Sequence, residues 1–200
     1  MKSDNKKNTK ENSLFSTQNI ALMALCVALI AVCSWISIPI NTVPVTLQTF
    51  GVLVVVGILG LQRGVVSVIA YILLGIIGLP VFSGFSGGIS KFTPNSETGA
   101  TGGYILGFIL LAVVMGSLME WIKKVKDKEK YNLLFILSMI LGDIVCFAFG
   151  TAWFVKFNPW GMGISASVTA CVIPFIIPDV VKIILAFTVI NRIKKLKLFK

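Results

Sequence analysis

The stretch that decides the fold spans residues 103–122 and reads GYILGFILLAVVMGSLMEWI. Its one charged residue, Glu120, lies close to the carboxyl end. About 20 apolar residues in a helix cross a hydrocarbon layer of about 30 Å, since each residue adds about 1.5 Å. The stretch therefore predicts a transmembrane helix.

The composition of the whole chain agrees with this stretch. The 200 residues are 56% apolar and 13% charged, and the mean hydropathy is +0.92. Soluble domains are about 45–50% apolar and about 25% charged. The composition excludes a soluble globular enzyme, a disordered chain and a nucleic-acid-binding module, so it indicates an integral membrane protein in contact with a lipid bilayer.

Five further apolar segments are candidate spans, at residues 20–38, 47–61, 65–79, 132–155 and 176–193. The first is longer than the core of a secretory signal and has no small-residue cleavage site, so we interpret it as a membrane helix. The run 164–173 is too short to span and is expected to form a re-entrant or interfacial turn.

Lys and Arg are distributed unequally between the two ends of these spans. Fifteen of the 18 lie in residues 1–19, in the turn with Arg63, in the 122–130 loop and in residues 192–200; the others are Lys91, Lys156 and Lys182. The positive-inside rule then places both termini in the cytoplasm.

The predicted fold class is an all-α integral membrane protein with six transmembrane helices and a substrate pocket at the extracellular side. Residues 1–19 are expected to form a cytoplasmic polar tail, residues 20–195 the six-helix domain, and residues 196–200 a cytoplasmic basic tail. We expect a multi-pass protein of the plasma membrane.

Three outer segments, at residues 39–49, 80–104 and 157–182, mix Gly and Pro with aromatic and uncharged polar residues. Apolar walls with a few polar groups are typical of small-molecule pockets. Segment 80–104 is longer than a simple connection requires, which favours a binding role.

Three acidic or basic residues within the spans are candidate functional groups, because charge in hydrocarbon is rare and commonly functional. Asp179 and Lys182 share a helix face near the start of the sixth span, where the helix dipole favours a carboxylate. They fit either a mutual ion pair or a clamp for the polar groups of a ligand. Asp143, in the fifth span, fits either proton coupling or a buried neutral acid.

The functions that the chain can have are limited further by residue types and motifs that the sequence lacks. The sequence has no His and no phosphate-binding P-loop, so catalytic triads based on His and ATP hydrolysis by this chain are excluded, and no enzyme activity, metal or cofactor is expected. The four cysteines are widely spaced in apolar surroundings and are expected to be small buried hydrophobic residues. Ala24 and Ala28 form a small-xxx-small pair that allows close approach of another helix.

Four motifs in order resemble the BioY family, the biotin-binding S components of energy-coupling factor (ECF) transporters. They are PVTLQTF at 44–50, YILLGIIGLPVF at 71–82, TGGYILGF at 101–108 and PFIIPDVVKIILA at 174–186. The resemblance extends over residues 20–195.

The resemblance implies high-affinity capture of biotin on the outer side for uptake. It also implies docking on a transmembrane coupling subunit that is served by two ATPase subunits, with Ala24 and Ala28 on the docking face. The expected biotin-binding residues are Gln48, Ser86, Thr101, Tyr104, Trp160, Asp179 and Lys182. Phe82 and Phe85 are expected to add to the apolar wall.

The sequence departs from the family pattern in segment 80–104. The usual Gly-Pro-Thr-Gly-Gly reads GATGG at 99–103, and residues 95–98 look like a small insertion. Two alternative functions therefore stay open. One is an S component for another vitamin, and the other is a self-sufficient proton-coupled transporter that uses Asp143.

Overall fold

The computed structural model describes residues 14–38, 43–94 and 99–196. The predicted tails at 1–19 and 196–200 and the insertion at 95–98 lie wholly or largely outside the described residues. The regular elements are α1 (Thr17–Trp35), β1 (Ser37–Ile38), β2 (Val45–Thr46), α2 (Gln48–Ile76), α3 (Gly102–Ile122), α4 (Lys128–Phe157), α5 (Ile164–Cys171) and α6 (Ile176–Lys195).

The chain is an all-helical membrane protein apart from one short β-hairpin. Within the described residues, five helical stretches are long and apolar enough to cross a membrane: Thr17–Trp35, Gln48–Ile76, Gly99–Ile122, Lys128–Phe157 and Ile164–Lys195. The second and third predicted spans both fall largely within α2, which counts as one such stretch, so the number of six spans is not confirmed. The run after α4 forms α5, an eight-residue helix that is too short to span by itself.

Helix α2 is broken at Gly60, whose φ of 77° lies in the left-handed region that favours glycine. A Cβ atom on Gly64 would lie 3.1 Å from the Cα of Val56, so the backbone before the break touches the backbone after it. The Nε2 group of Gln48 also donates a hydrogen bond to the hydroxyl of Tyr71 at 2.6 Å. In a straight helix these two residues would be about 35 Å apart. The two arms of α2 therefore fold back on each other.

This break corrects the predicted turn between the second and third spans. The turn was expected around Arg63, whereas helical backbone resumes directly after Gly60 and includes Arg63. A single glycine is enough to reverse the chain, because its missing Cβ allows a backbone angle that other residues avoid.

The helices pack around α2 and α3. Helix α3 lies against α2 on one side and α4 on the other, while α1 and α6 pack on α2. The buried core joins these helices through large side chains such as Tyr71, Leu111, Met115 and Phe135. All four cysteines are buried and none forms a disulfide.

The start of segment 80–104 is held against the ends of α1 and α2. The hydroxyl of Tyr71 donates a hydrogen bond to the carbonyl of Val81 at 2.8 Å, and the indole N–H of Trp35 donates to the carbonyl of Pro80 at 2.8 Å. The Phe82 ring fills the space over Gly75, where a Cβ atom would overlap the ring. These contacts hold the start of the segment against α1 and α2, and residues of the segment and of the β-hairpin line the same cavity.

Candidate functional site

A cavity of about 550 Å³ lies beneath the β-hairpin and segment 80–104. Its apolar walls include Phe82, Ile105, Phe108, Phe147 and Phe175. Its polar lining residues are Ser37, Thr46, Gln48, Thr49, Ser83, Lys91, Thr101, Tyr104, Asp143 and Lys182. Small-molecule sites have volumes of about 300–1,000 Å³ and the same mixture of apolar walls and a few polar groups. This cavity is therefore the candidate binding site.

Five of the seven predicted ligand residues line this cavity: Gln48, Thr101, Tyr104, Trp160 and Lys182. Asp179 is not among the lining residues of this cavity, although it is paired with Lys182, which is. Ser86 is also absent from the lining, and its hydroxyl donates to the carbonyl of Ser83 at 2.6 Å. The structure thus brings most of the predicted set together around one space.

The Asp179–Lys182 pair is the most buried charged group in the site. The Nζ atom of Lys182 donates to Oδ1 of Asp179 at 2.6 Å, and each residue is only 4% exposed. The pair forms because three residues along α6 bring both side chains to one face, with Asp179 in the first turn. A buried ion pair costs desolvation energy that its own attraction offsets only in part, so it is weak support for a purely stabilising role.

Tyr104 and Gln48 are held in fixed orientations at the cavity wall. The Tyr104 hydroxyl lies 3.0 Å from the Oγ1 atom of Thr151, and its ring lies directly over Gly150, where a Cβ atom would overlap it. Gln48 is 5% exposed, and its amide nitrogen is bound to Tyr71. These contacts fix the orientation of the Gln48 amide oxygen and of the Tyr104 ring before any ligand binds.

Two charged lining residues were not predicted as ligand contacts. Lys91 lies on a short 3₁₀ turn, Ile89–Phe92, and is half-buried; burial lowers the pKa of its amine from the usual value. Asp143 reaches the cavity from the middle of α4. Lys91 is the sole cation of segment 80–104, and that isolation within a Gly-rich segment is the sequence signal that could have identified it.

A second cavity, of about 830 Å³, lies between α4 and the α5–α6 region. Its walls are apolar, and residues such as Ile144 and Val180 are more than half exposed at its rim. Asp179 and Asp143 line this cavity, and Asp143 lines the first cavity as well. Asp143 therefore stands at the boundary between the two spaces.

The predicted docking residues lie on the outer surface of the helix bundle. Ala24 and Ala28 are exposed on α1, whereas Ala31 is buried against the core. Both alanines are therefore accessible from outside the bundle, next to the exposed side chains of Leu25 and Leu29.

The chain is similar to several known proteins over nearly its whole length. Residues 5–198 match the model of the BioY family. The chain is 38% identical to the "Biotin transporter BioY" of Thermotoga maritima, over 85% of this chain and 92% of that protein. It is 34% identical to the "Probable biotin transporter BioY" of Pyrococcus horikoshii, over 88% of this chain and 96% of that protein.

A solved structure has the same fold. It is described as the "S-component for biotin from an ECF-type ABC transporter", and it matches with a TM-score of 0.76 at 25% identity, over 92% of this chain and 95% of that chain. The four sequence motifs, the helical membrane fold and the covered cavity agree with these similarities, and the chain belongs to the BioY family.

Proposed function

We propose that this protein captures biotin and serves as the S component of an ECF-type transporter. The observation that carries the proposal is the buried Asp179–Lys182 pair beside a largely apolar cavity, in a chain of the BioY family. The named relatives are biotin transporters, and the matching solved structure is a biotin S component. Uptake of biotin, rather than a chemical reaction, is the function that these similarities support.

The chemistry of biotin suits the cavity. Its ureido ring has two N–H donors and one carbonyl, its thioether ring is apolar, and its valeryl chain ends in a carboxylate. The Asp179–Lys182 pair offers one acceptor and one donor, which suits the ureido ring. Tyr104 and Trp160 supply aromatic surface for the thioether ring, while Gln48 and Thr101 add hydrogen-bonding groups. Ser86 does not line the cavity, so its proposed contribution to biotin binding is indirect. Its hydrogen bond to the carbonyl of Ser83 holds the turn that places Ser83 at the cavity wall.

The carboxylate of biotin is assigned to Lys91. Two lysines line the cavity, and Lys182 is already paired with Asp179. Lys91 makes no ion pair with any other described residue, so its ammonium group is available for an anion. This assignment gives each end of the ligand a different lysine.

We further propose that the protein crosses the plasma membrane six times, with both termini in the cytoplasm and the cavity facing outward. Each arm of α2 then crosses separately, which the reversal at Gly60 supports. The unequal distribution of Lys and Arg supports the orientation. Fusion of a fluorescent protein and of periplasmic alkaline phosphatase to the C-terminus tests it: fluorescence without phosphatase activity is expected, and the opposite pattern would reject the orientation.

Energy for uptake is proposed to come from a transmembrane coupling subunit and two ATPase subunits, with docking on α1. Ala28→Trp should leave biotin binding intact and abolish uptake, because the large side chain would block helix contact at the exposed alanine surface. Val113→Trp is the matched control, since Val113 is 41% exposed on α3. Equal uptake by both variants would remove α1 from the docking surface.

Uptake of labelled biotin tests the proposed function as a whole. The chain is expressed in a host without its own biotin transporter, with and without the coupling and ATPase subunits. Uptake that requires these subunits is expected. Uptake without any coupling subunit would instead favour a self-sufficient proton-coupled transporter. Absence of uptake both with and without these subunits would reject biotin transport.

A further inference from the structure

Asp143 has one carboxyl oxygen without a hydrogen-bond partner in the described segments, and the residue forms part of the cavity wall. The residue is 7% exposed, it lines the candidate binding site, and its Oδ1 atom has no hydrogen-bond partner among the described residues. Buried polar atoms are nearly always hydrogen-bonded, so an unpaired carboxyl oxygen calls for an explanation. A bound molecule that donates a hydrogen bond would supply the missing partner.

The neighbouring charged groups do not supply that partner. Asp143 lines the first cavity together with Lys182 and the second together with Asp179, which places the three groups near one another. The ammonium group of Lys182, however, is directed to Oδ1 of Asp179. Oδ1 of Asp143 thus remains an acceptor that the described part of the chain leaves without a donor.

We propose that Asp143 accepts a hydrogen bond from a ureido N–H of the ligand and so helps to determine specificity. The inference rests on the proposed function, because it takes a cyclic urea as the ligand. The ureido ring has two N–H donors, and the Asp179–Lys182 pair provides one acceptor and one donor. Asp143 provides the second acceptor, and a carboxyl group retains an acceptor oxygen whether it is ionised or protonated.

This arrangement predicts discrimination between ligands that differ by one N–H group. A site built to bind a ligand N–H rejects an analogue without it, since the buried polar group is then left unpaired. Biotin methylated at one ureido nitrogen is such an analogue. Of the two methyl isomers, one lacks the N–H that Asp143 accepts and the other lacks the N–H on the opposite side.

The test measures the affinity of purified protein for biotin and for both N-methyl isomers. Asp143→Leu should bind biotin at least 10-fold more weakly than the parent. For one methyl isomer, the same substitution should change affinity less than 3-fold, because the hydrogen bond is already absent. Asp143→Asn retains an acceptor oxygen and should restore most of the affinity for biotin.

Two further variants keep the test decisive. Ser138→Ala is the control, since Ser138 is buried on the same helix, donates to the carbonyl of Phe135 and lines neither cavity. Asp143→Ser removes the reach of the carboxyl group while keeping a polar side chain, so the comparison stands even where the Leu variant does not fold.

Two results would overturn the assignment of Asp143. One is unchanged biotin affinity in both the Leu and the Ser variants. The other is an equal loss of affinity for biotin and for both methyl isomers, which would indicate a structural role. A parent protein that binds no biotin would reject the proposed function itself, whereas these two outcomes leave biotin binding intact and reject only the role of Asp143.

Discussion

Removing the carboxylate of Asp179 tests the role of the buried ion pair in ligand binding. In Asp179→Asn the Lys182 ammonium group loses its partner at 2.6 Å, and both residues are nearly inaccessible to water. In the proposed binding mode, the ligand also loses a charged acceptor for one ureido N–H. Hydrogen bonds to charged groups contribute about 1.5–3 kcal/mol.

We expect a loss of about 2 kcal/mol, which corresponds to an approximately 30-fold rise in Kd because each 1.4 kcal/mol is tenfold. Calorimetric titration of biotin into the purified variant in detergent measures it. The melting temperature should fall as well, since removal of one partner leaves a buried charge uncompensated.

The sequence contains a matched control for this change. Glu120 in the last turn of α3 and Lys123 directly after α3 have the same spacing and lie 3.6 Å apart, but their side chains are 53% and 63% exposed. Exposed pairs contribute about 0–1 kcal/mol, so Glu120→Gln should leave both Kd and melting temperature nearly unchanged. A folded Asp179→Asn variant whose Kd stays within 3-fold of the parent would refute a role for this pair in binding.

Two further predictions follow from residues around the cavity. Gly150→Ala places a methyl group where the Tyr104 ring lies, and such overpacking costs about 1–3 kcal/mol. The variant should therefore have a lower melting temperature and bind biotin more weakly. An unchanged melting temperature and an unchanged Kd would show that the ring can move freely. Lys91→Gln should weaken biotin binding but leave binding of biotin methyl ester unchanged, and an equal loss for both ligands would contradict the carboxylate assignment. Because burial lowers the pKa of the Lys91 amine, the parent should lose affinity for biotin as the pH rises toward the ordinary lysine value of 10.5, and the variant should lack this loss.

Hydropathy predicted the long helices well, because a membrane span needs an apolar stretch of defined length. The predicted span 103–122 differs by one residue from α3 (Gly102–Ile122), and 176–193 by two from α6 (Ile176–Lys195). The predicted position of the reversal differed from Gly60 because hydropathy does not depend on the backbone angles of a residue. The sequence contains 18 glycines, and hydropathy does not indicate which of them adopts a left-handed angle. The strands β1 and β2 were missed because two residues each are too few to show alternation.

The candidate site was predictable in part. Asp179 and Lys182 stood out since their contact is local, three residues apart on one helix. Their positions relative to the cavities were not predictable, because tertiary packing places Lys182 at the wall of the first cavity and Asp179 at the wall of the second. Lys91 and Asp143 meet the same cavity from distant segments of the chain, and only tertiary packing brings them together.

Binding of biotin to the purified chain tests the central claim most directly. Calorimetry in detergent, with thiamine and riboflavin as control ligands, measures whether the isolated protein captures one vitamin selectively. We predict tight binding of biotin at one site per chain and no measurable binding of the other two. A folded sample that does not bind biotin, or that binds thiamine or riboflavin more tightly, would contradict the proposed function. The assignment of the family and the fold would be unaffected.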